Sequence, residues 1–213
     1  MNRGWGFDAL TSNDVVPPTP TPVTPNTVTT TTTTGGGGVR EVGNHIYFSD
    51  DITQASVLNA AEKIRTVGNR LRLQALDDGI DCPPITLHIS SYGGSLLAGF
   101  SFMDTVRLSP VPIHIVVEGL CASAATLPLV VAKKRIMPAN AHILIHQLSA
   151  VAWGKYTELQ DAMKNFDKFM KHINSIYTVF TKIEKEKLEE ILKHDLWFNA
   201  VEAAELGIVD III

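Results

Sequence analysis

One serine, Ser123, stands where nucleophilic chemistry is easiest to build. It follows a strand-like run, Pro112-Ile113-His114-Ile115-Val116-Val117, and lies among small residues, Gly119-Leu120-Cys121-Ala122-Ser123-Ala124-Ala125, at the expected start of a helix. A hydroxyl placed there faces backbone N–H groups without helical partners and the positive end of the helix dipole. Both stabilise the oxyanion that forms when an oxygen adds to an acyl carbon. The competing reading is structural, because serine is also a preferred helix N-cap.

A serine needs a base, and the base needs an orienting carboxylate. Of the seven histidines, His146 closes the run Ile143-Leu144-Ile145, and open α/β sheets bind ligands beyond the carboxyl ends of their strands. His142 shares its face four residues earlier, but at the strand's opposite end. His88 and His114 fall inside strand runs and His45 precedes one, as core or surface histidines do. The candidate carboxylates are Asp104, Asp161, Asp167, Asp195 and Asp210, of which Asp195 ends a helix beside Leu196-Trp197-Phe198. Residue types alone do not choose among them. For the oxyanion, the N–H of Ala124 directly follows the nucleophile. A second donor is expected from Ser90-Ser91-Tyr92-Gly93-Gly94-Ser95, a strand-to-helix turn whose glycines let backbone approach a substrate. Two helix N-termini are thus expected to face one developing charge.

The elements that must position these residues alternate from Val39 onward. Strands are expected at 45–48, 85–89, 113–117, 135–137, 142–145 and 208–213. Helices are expected at 53–69, 96–108, 124–132, 156–182, 184–193 and 200–206. Pro110 and Pro112 stop the second helix, and Gly207 closes the last. Such alternation predicts an α/β fold with a largely parallel sheet. The longest helix carries Leu159, Met163, Phe166, Phe169, Met170, Ile173, Ile176, Tyr177 and Phe180 at three- and four-residue spacing, opposite Lys164, Asp167, Lys168, Lys171 and Asn174. That stripe is expected to cover its own core, with part of it reaching a second subunit.

The chain has 213 residues, 45% of them hydrophobic, and a formal charge of −4, as expected of a soluble protein with one core of ordinary size. No apolar run is long enough to span a bilayer, and the first residues lack the continuous apolar segment of a secretory signal, so a cytoplasmic location is expected. Cys82 and Cys121 form no disulfide framework, no Cys/His spacing suggests a metal site, and scattered Lys and Arg in a mildly acidic chain argue against nucleic acid. Residues 15–38 are nearly all Pro, Thr and Gly, so 1–39 reads as a disordered arm. Its Trp5, Phe7 and Leu10 suit a tethered docking peptide or an idle tail equally.

Four blocks in order resemble the ClpP family, the proteolytic subunits of Clp proteases. They are Ser91-Tyr92-Gly93-Gly94-Ser95 with Ala98-Gly99 and Asp104-Thr105; Gly119-Leu120-Cys121-Ala122-Ser123-Ala124; Met137-Pro138-Ala139-Asn140 leading to Ile145-His146-Gln147; and Asp195-Leu196-Trp197-Phe198-Asn199-Ala200 with Glu202-Ala203 and Gly207-Ile208-Val209-Asp210. The resemblance implies a crotonase-like spiral of βαβ units over 40–213, with 156–182 as a protruding handle helix. Ser123 is then the nucleophile, His146 the base and Asp195 its orienting acid, with the N–H groups of Gly94 and Ala124 as oxyanion donors. Gly93, Gly94, Ser95, Leu148, Ser149 and Ala150 would hold substrate backbone. It further implies an endopeptidase acting on unfolded polypeptides, needing no cofactor, built as two stacked heptameric rings around a chamber fed by an AAA+ ATPase of the Clp/Hsp100 type.

The chain departs from that pattern in several places. Tyr92 stands where the family usually has proline, and Leu148-Ser149-Ala150-Val151-Ala152-Trp153 replaces a glycine-rich substrate strand, with Trp153 expected to narrow the cleft. Lys193-His194 replaces an acidic–arginine pair, and Pro128 falls early in the helix after the nucleophile. The altered substrate strand and Lys193-His194 suit a second reading, a weakly active or regulatory ring subunit; a third, an acyl-CoA hydratase or isomerase on the same fold, shares the logic of an oxyanion hole but needs no serine at a helix start with a strand-end histidine.

Overall fold

The computed structural model describes residues 38–213. The arm expected over 1–39 lies outside them except for Gly38 and Val39, which begin a strand. That strand, β1 (Gly38–Val42), pairs antiparallel with β2 (His45–Ser49) across a Gly43-Asn44 turn, Gly43 taking φ 61°. This is the two-residue hairpin such a dipeptide favours, and it was not among the expected elements. From β2 the sheet runs parallel through β3 (Ile85–Ser91), β4 (Ile113–Ala122), β5 (Lys134–Met137) and β8 (Ile211–Ile212), while β6 (His142–Leu144) branches from β4 and carries β7 (Trp197–Phe198) antiparallel to it. The expected α/β architecture is present.

One face of this sheet builds the core. Ile46 and Phe48 of β2, Leu87 and Ile89 of β3, and Ile113, Ile115 and Val117 of β4 are at most 2% exposed. They pack with the apolar sides of α1 (Gln54–Asp78) and α2 (Leu96–Arg107). At about 25 cal/mol per Å² of apolar surface, each such side chain contributes roughly 2 kcal/mol of transfer free energy. Helix α1 begins at Thr53, whose hydroxyl accepts from the Ser56 N–H, and ends at Gly79 in the left-handed region. It runs nine residues past the expected end, because residues 70–78 contain no helix breaker and Leu71 and Ala75 continue its buried face.

Strand β4 is twice its expected length. Between the Ile89↔Val117 and Ser91↔Cys121 pairs it holds two extra residues, and Gly119 within them adopts φ 76°. The resulting bend divides the strand. Its first half pairs with β5 and its second half, Leu120–Ala122, with β6. A 3-10 turn (Ser123–Ala125) and the short α3 (Thr126–Val130) follow where a helix over 124–132 was expected. Pro128 occupies the first turn of α3, where its missing N–H costs no helical bond.

The amphipathic α4 (Tyr156–Phe180) has 25 residues and so spans about 37 Å. It is followed by α5 (Lys185–Ile191) and α6 (Ala200–Glu205), the latter capped by Asn199. Only Ile173, Ile176 and Tyr177 of α4 are buried, so the stripe meets its own core near one end alone. Among the described residues no helix is long and apolar enough to cross a membrane.

Candidate active site

Ser123 is the only non-glycine residue with positive φ among those described, at 54°. This left-handed conformation is uncommon for a residue with a Cβ and costs on the order of 1–3 kcal/mol unless its surroundings impose it. The turn that holds it is tightly packed. Parallel pairing of Ser91 with Cys121 brings Gly93 beside Ser123, and a Cβ on Gly93 would lie 2.7 Å from both the Ala122 carbonyl oxygen and the Ser123 Cβ. The capping reading fails here, since the 3-10 turn has no side-chain cap and Ser123 Oγ lies 2.8 Å from His146 Nε2 instead.

His146 reaches the serine because β6 lies beside the second half of β4, with Ala122 opposite Leu144. Antiparallel pairing of Leu144 with Trp197 then sets the other partner: extending that register by two residues puts His146 opposite Asp195. His146 Nδ1 stands 3.4 Å from Asp195 Oδ1, an ion-pair distance longer than a good N–H···O bond, and the aspartate side chain is 78% exposed. The Gln147 N–H donates to the Leu192 carbonyl at 2.7 Å and ties the strand end to the segment after α5.

The other candidates are elsewhere. His142 is exposed at the far end of β6, and His45 and His88 bond to each other at 2.9 Å on the sheet face away from the core, with Glu118 at 2.6 Å from His88. Asp161 pairs with Lys164 on the surface of α4, Asp104 lies on α2, and Asp167 is exposed. Asp210 is held by Arg135; burial opposes its ionisation, but side-chain and backbone hydrogen bonds from Arg135 outweigh it and keep the carboxyl below its ordinary pKa. Cys121, two residues before Ser123, is fully buried, and burial pushes its thiol pKa up, so it offers no thiolate.

A cleft of about 220 Å³ opens at the serine, walled by Gly94, Ser95, Ala124, His146, Leu148 and Ser149 and floored by Leu96, Leu127, Ile173 and Tyr177. Ala124 is the second residue of the 3-10 turn, so its N–H has no partner within that turn. Around Gly94, Ile52 donates to the Gly93 carbonyl and accepts from the Ser95 N–H, a bridge that passes over the Gly94 N–H. The two expected donors therefore both border the cleft with their protons unclaimed by these contacts. Helix α2 starts at Ser95, whose hydroxyl accepts from Ala98. The expected second helix dipole is reduced to a 3-10 turn and a five-residue helix.

Gly94 lines the cleft, and backbone also crowds both glycines, Ser123 and Ala122 at Gly93 and Ile52 at Gly94, where a Cβ would come within 2.5 Å of the Ile52 oxygen. The expected substrate strand over 148–153 has no strand pairing, and Ala150 does not line the cleft. Trp153, expected to narrow the cleft, is 97% exposed and is not among its lining residues. The floor residues Leu127, Ile173 and Tyr177 were missed as site residues; the small residue at 124 and the apolar stripe of the long helix were their only signals.

A family model described as Clp protease matches residues 49–213. The ATP-dependent Clp protease proteolytic subunit 2 of Treponema denticola is 34% identical over 128 residues, 59% of this chain and 64% of that relative, so the match spans just under two thirds of its length. The proteolytic subunit 1 of Chlamydia muridarum is 31% identical over 169 residues, covering 78% of this chain and 83% of the relative. In structure, a ClpP1 mutant from Listeria monocytogenes superposes with a TM-score of 0.69 over 80% of this chain and 91% of its own, at 22% identity, a likeness of fold.

Proposed function

The chain belongs to the Clp protease family, and from that premise we propose that it is a serine endopeptidase acting on unfolded polypeptide. The observation that carries this reading is the Ser123 Oγ to His146 Nε2 contact of 2.8 Å at a serine held at positive φ. With Nδ1 protonated toward Asp195, Nε2 accepts the Ser123 proton as Oγ attacks the scissile carbonyl. Negative charge gathers on the carbonyl oxygen, and the Gly94 and Ala124 N–H groups stabilise it. His146 returns the proton to the leaving amine as the C–N bond breaks. Water then attacks the acyl-enzyme, its proton passing to His146 and on to Ser123 Oγ. Asp195 holds the imidazole tautomer throughout.

Its relatives carry the name ATP-dependent Clp protease proteolytic subunit, and together with the family resemblance this extends the proposal to a cytoplasmic double ring of heptamers whose chamber receives substrate from an AAA+ ATPase. The loose contact between His146 and an exposed Asp195 favours a second reading, a weakly active ring subunit that works beside a more active partner. Ser123→Ala decides between activity and its absence. The purified chain should cleave a short fluorogenic peptide and react with a fluorophosphonate, and the variant should lose both, by a factor of at least about 10³ in kcat. Unchanged cleavage in the variant would remove Ser123 from the mechanism, and an inert purified chain would favour the regulatory reading.

A further inference from the structure

Two buried hydroxyls behind the nucleophile take no part in proton transfer. Thr126, fully buried in α3, has its Oγ1 2.6 Å from the Ser123 carbonyl oxygen and 2.5 Å from the Tyr177 hydroxyl. The directions follow from counting protons. A carbonyl only accepts, so the single Thr126 hydroxyl proton goes to Ser123, and the Thr126 oxygen must accept from Tyr177. Tyr177 enters from α4 and is 2% exposed; burial pushes its phenol pKa up, so the donated proton stays in place. The result is a directed chain from Tyr177 to Thr126 to the Ser123 carbonyl, in an interior where each bond polarises the next.

That carbonyl is one half of a peptide unit whose other half is the Ala124 N–H. A trans peptide is planar, and its C=O and N–H point in opposite directions. Holding the oxygen from behind therefore sets where the N–H points in front, toward the cleft that Ala124 borders. A threonine hydroxyl often reaches back to a carbonyl of the preceding turn. A second hydroxyl arriving from 51 residues away does not belong to that local habit. It braces a turn whose serine is already strained at φ 54°.

We infer that the Tyr177–Thr126 hydroxyl pair is a positioning device that aims the Ala124 N–H at the developing oxyanion and couples the nucleophile turn to α4. The inference rests on the proposed role of Ala124 as an oxyanion donor. Neither residue touches the reacting atoms through its hydroxyl; both act through the Ser123–Ala124 peptide.

Thr126→Val keeps the side-chain shape and removes the hydroxyl, Tyr177→Phe removes only the phenol oxygen, and Thr126→Ser restores the donor. Thr178→Val, which loses an equivalent hydroxyl-to-carbonyl bond on the exposed side of α4, is the control. The readouts are kcat and KM on a fluorogenic peptide and the inhibition constant of a peptidyl aldehyde, whose hemiacetal oxygen occupies the oxyanion position. Outright loss of an oxyanion donor lowers kcat by about 10² to 10³, so a misaimed one is expected to lower it about 10-fold in Thr126→Val and several-fold in Tyr177→Phe. KM should hold, the aldehyde constant should rise by the same factor as kcat falls, and Thr126→Ser should recover most of the loss. Lower thermal midpoints with unchanged kcat and aldehyde binding would reduce the pair to a structural contact and overturn the inference. If Thr126→Val does not fold, Tyr177→Phe decides alone, since it leaves the packing intact. An inactive wild-type chain sinks the peptidase reading and this inference with it, whereas an active one with indifferent variants sinks this inference only.

Discussion

At the scale of single residues, the site depends on a backbone conformation that residue types do not announce. Ser123 could be singled out in the sequence because small neighbours and a preceding strand frame it, yet the same features describe a helix cap. The distinction comes from φ, at a turn packed closely against Gly93, 30 residues away in sequence. Gly93 itself sits at φ 99°, and its hydrogen faces the Ser123 Cβ. Gly93→Ala should therefore push the nucleophile turn without removing any catalytic atom. A displacement near 1 Å costs on the order of 10² in rate, so kcat/KM on a short peptide should fall by about that factor, with a thermal midpoint a few degrees lower. Wild-type turnover in this variant would show that the turn tolerates what the contact distances forbid. Asp195 was the opposite case. Residue types left five carboxylates open and the family resemblance pointed to Asp195; the pairing of β6 with β7, a two-residue strand that the sequence pattern did not mark, brings it opposite His146.

At the scale of elements, periodicity located most helices, and their errors have local causes. The fold's bend at Gly119 was hidden because a strand that changes partners reads as one that stops. Strand 208–213 was overread, since only Ile211 and Ile212 pair with β5. What holds that end in place is polar: Arg135 on β5 bonds Asp210 through its Nε and Nη2, and its Nη1 donates to the carbonyls of Phe180 and Gly207 at 2.9 and 2.8 Å. One guanidinium thus joins β5, the end of α4 and the turn before β8. Because the folded pKa of Asp210 is depressed below its unfolded value near 3.9, this pair stabilises the fold fully above that pH and progressively less as pH falls through the folded pKa. Asp210→Asn should be about 1 kcal/mol less stable at pH 7, and the gap to wild type should close as the pH drops below about 4. Denaturant midpoints of both proteins across pH 3 to 7 measure this, and a gap independent of pH would mean that the carboxylate charge contributes nothing.

At the scale of the whole molecule, the described residues leave one face of α4 largely open. The stripe on α4 was legible from spacing alone, but which partner it covers was not, because an amphipathic pattern records a buried face without saying what buries it. Over the first half of α4 the described residues give only partial cover: Tyr156 and Met163 are 75% and 59% exposed, and Leu159, Phe166 and Phe169 are half-buried. The apolar side chains at that end are spaced for contact with another helix, the kind of contact a protruding handle helix would make with a second subunit of the proposed double ring. Phe166→Asp places a charge in the middle of the stripe at a position that supports little of the monomer core. If the stripe is an interface, burying that carboxylate without a partner costs several kcal/mol, enough to shift a ring pair to single rings at micromolar concentration. Mass by light scattering should halve while the thermal unfolding of the subunit changes little, and peptide cleavage should fall with the loss of paired rings. A variant that keeps the wild-type mass and activity would place the stripe outside any interface, and the exposed aromatic residues of α4 would need another reason to be there.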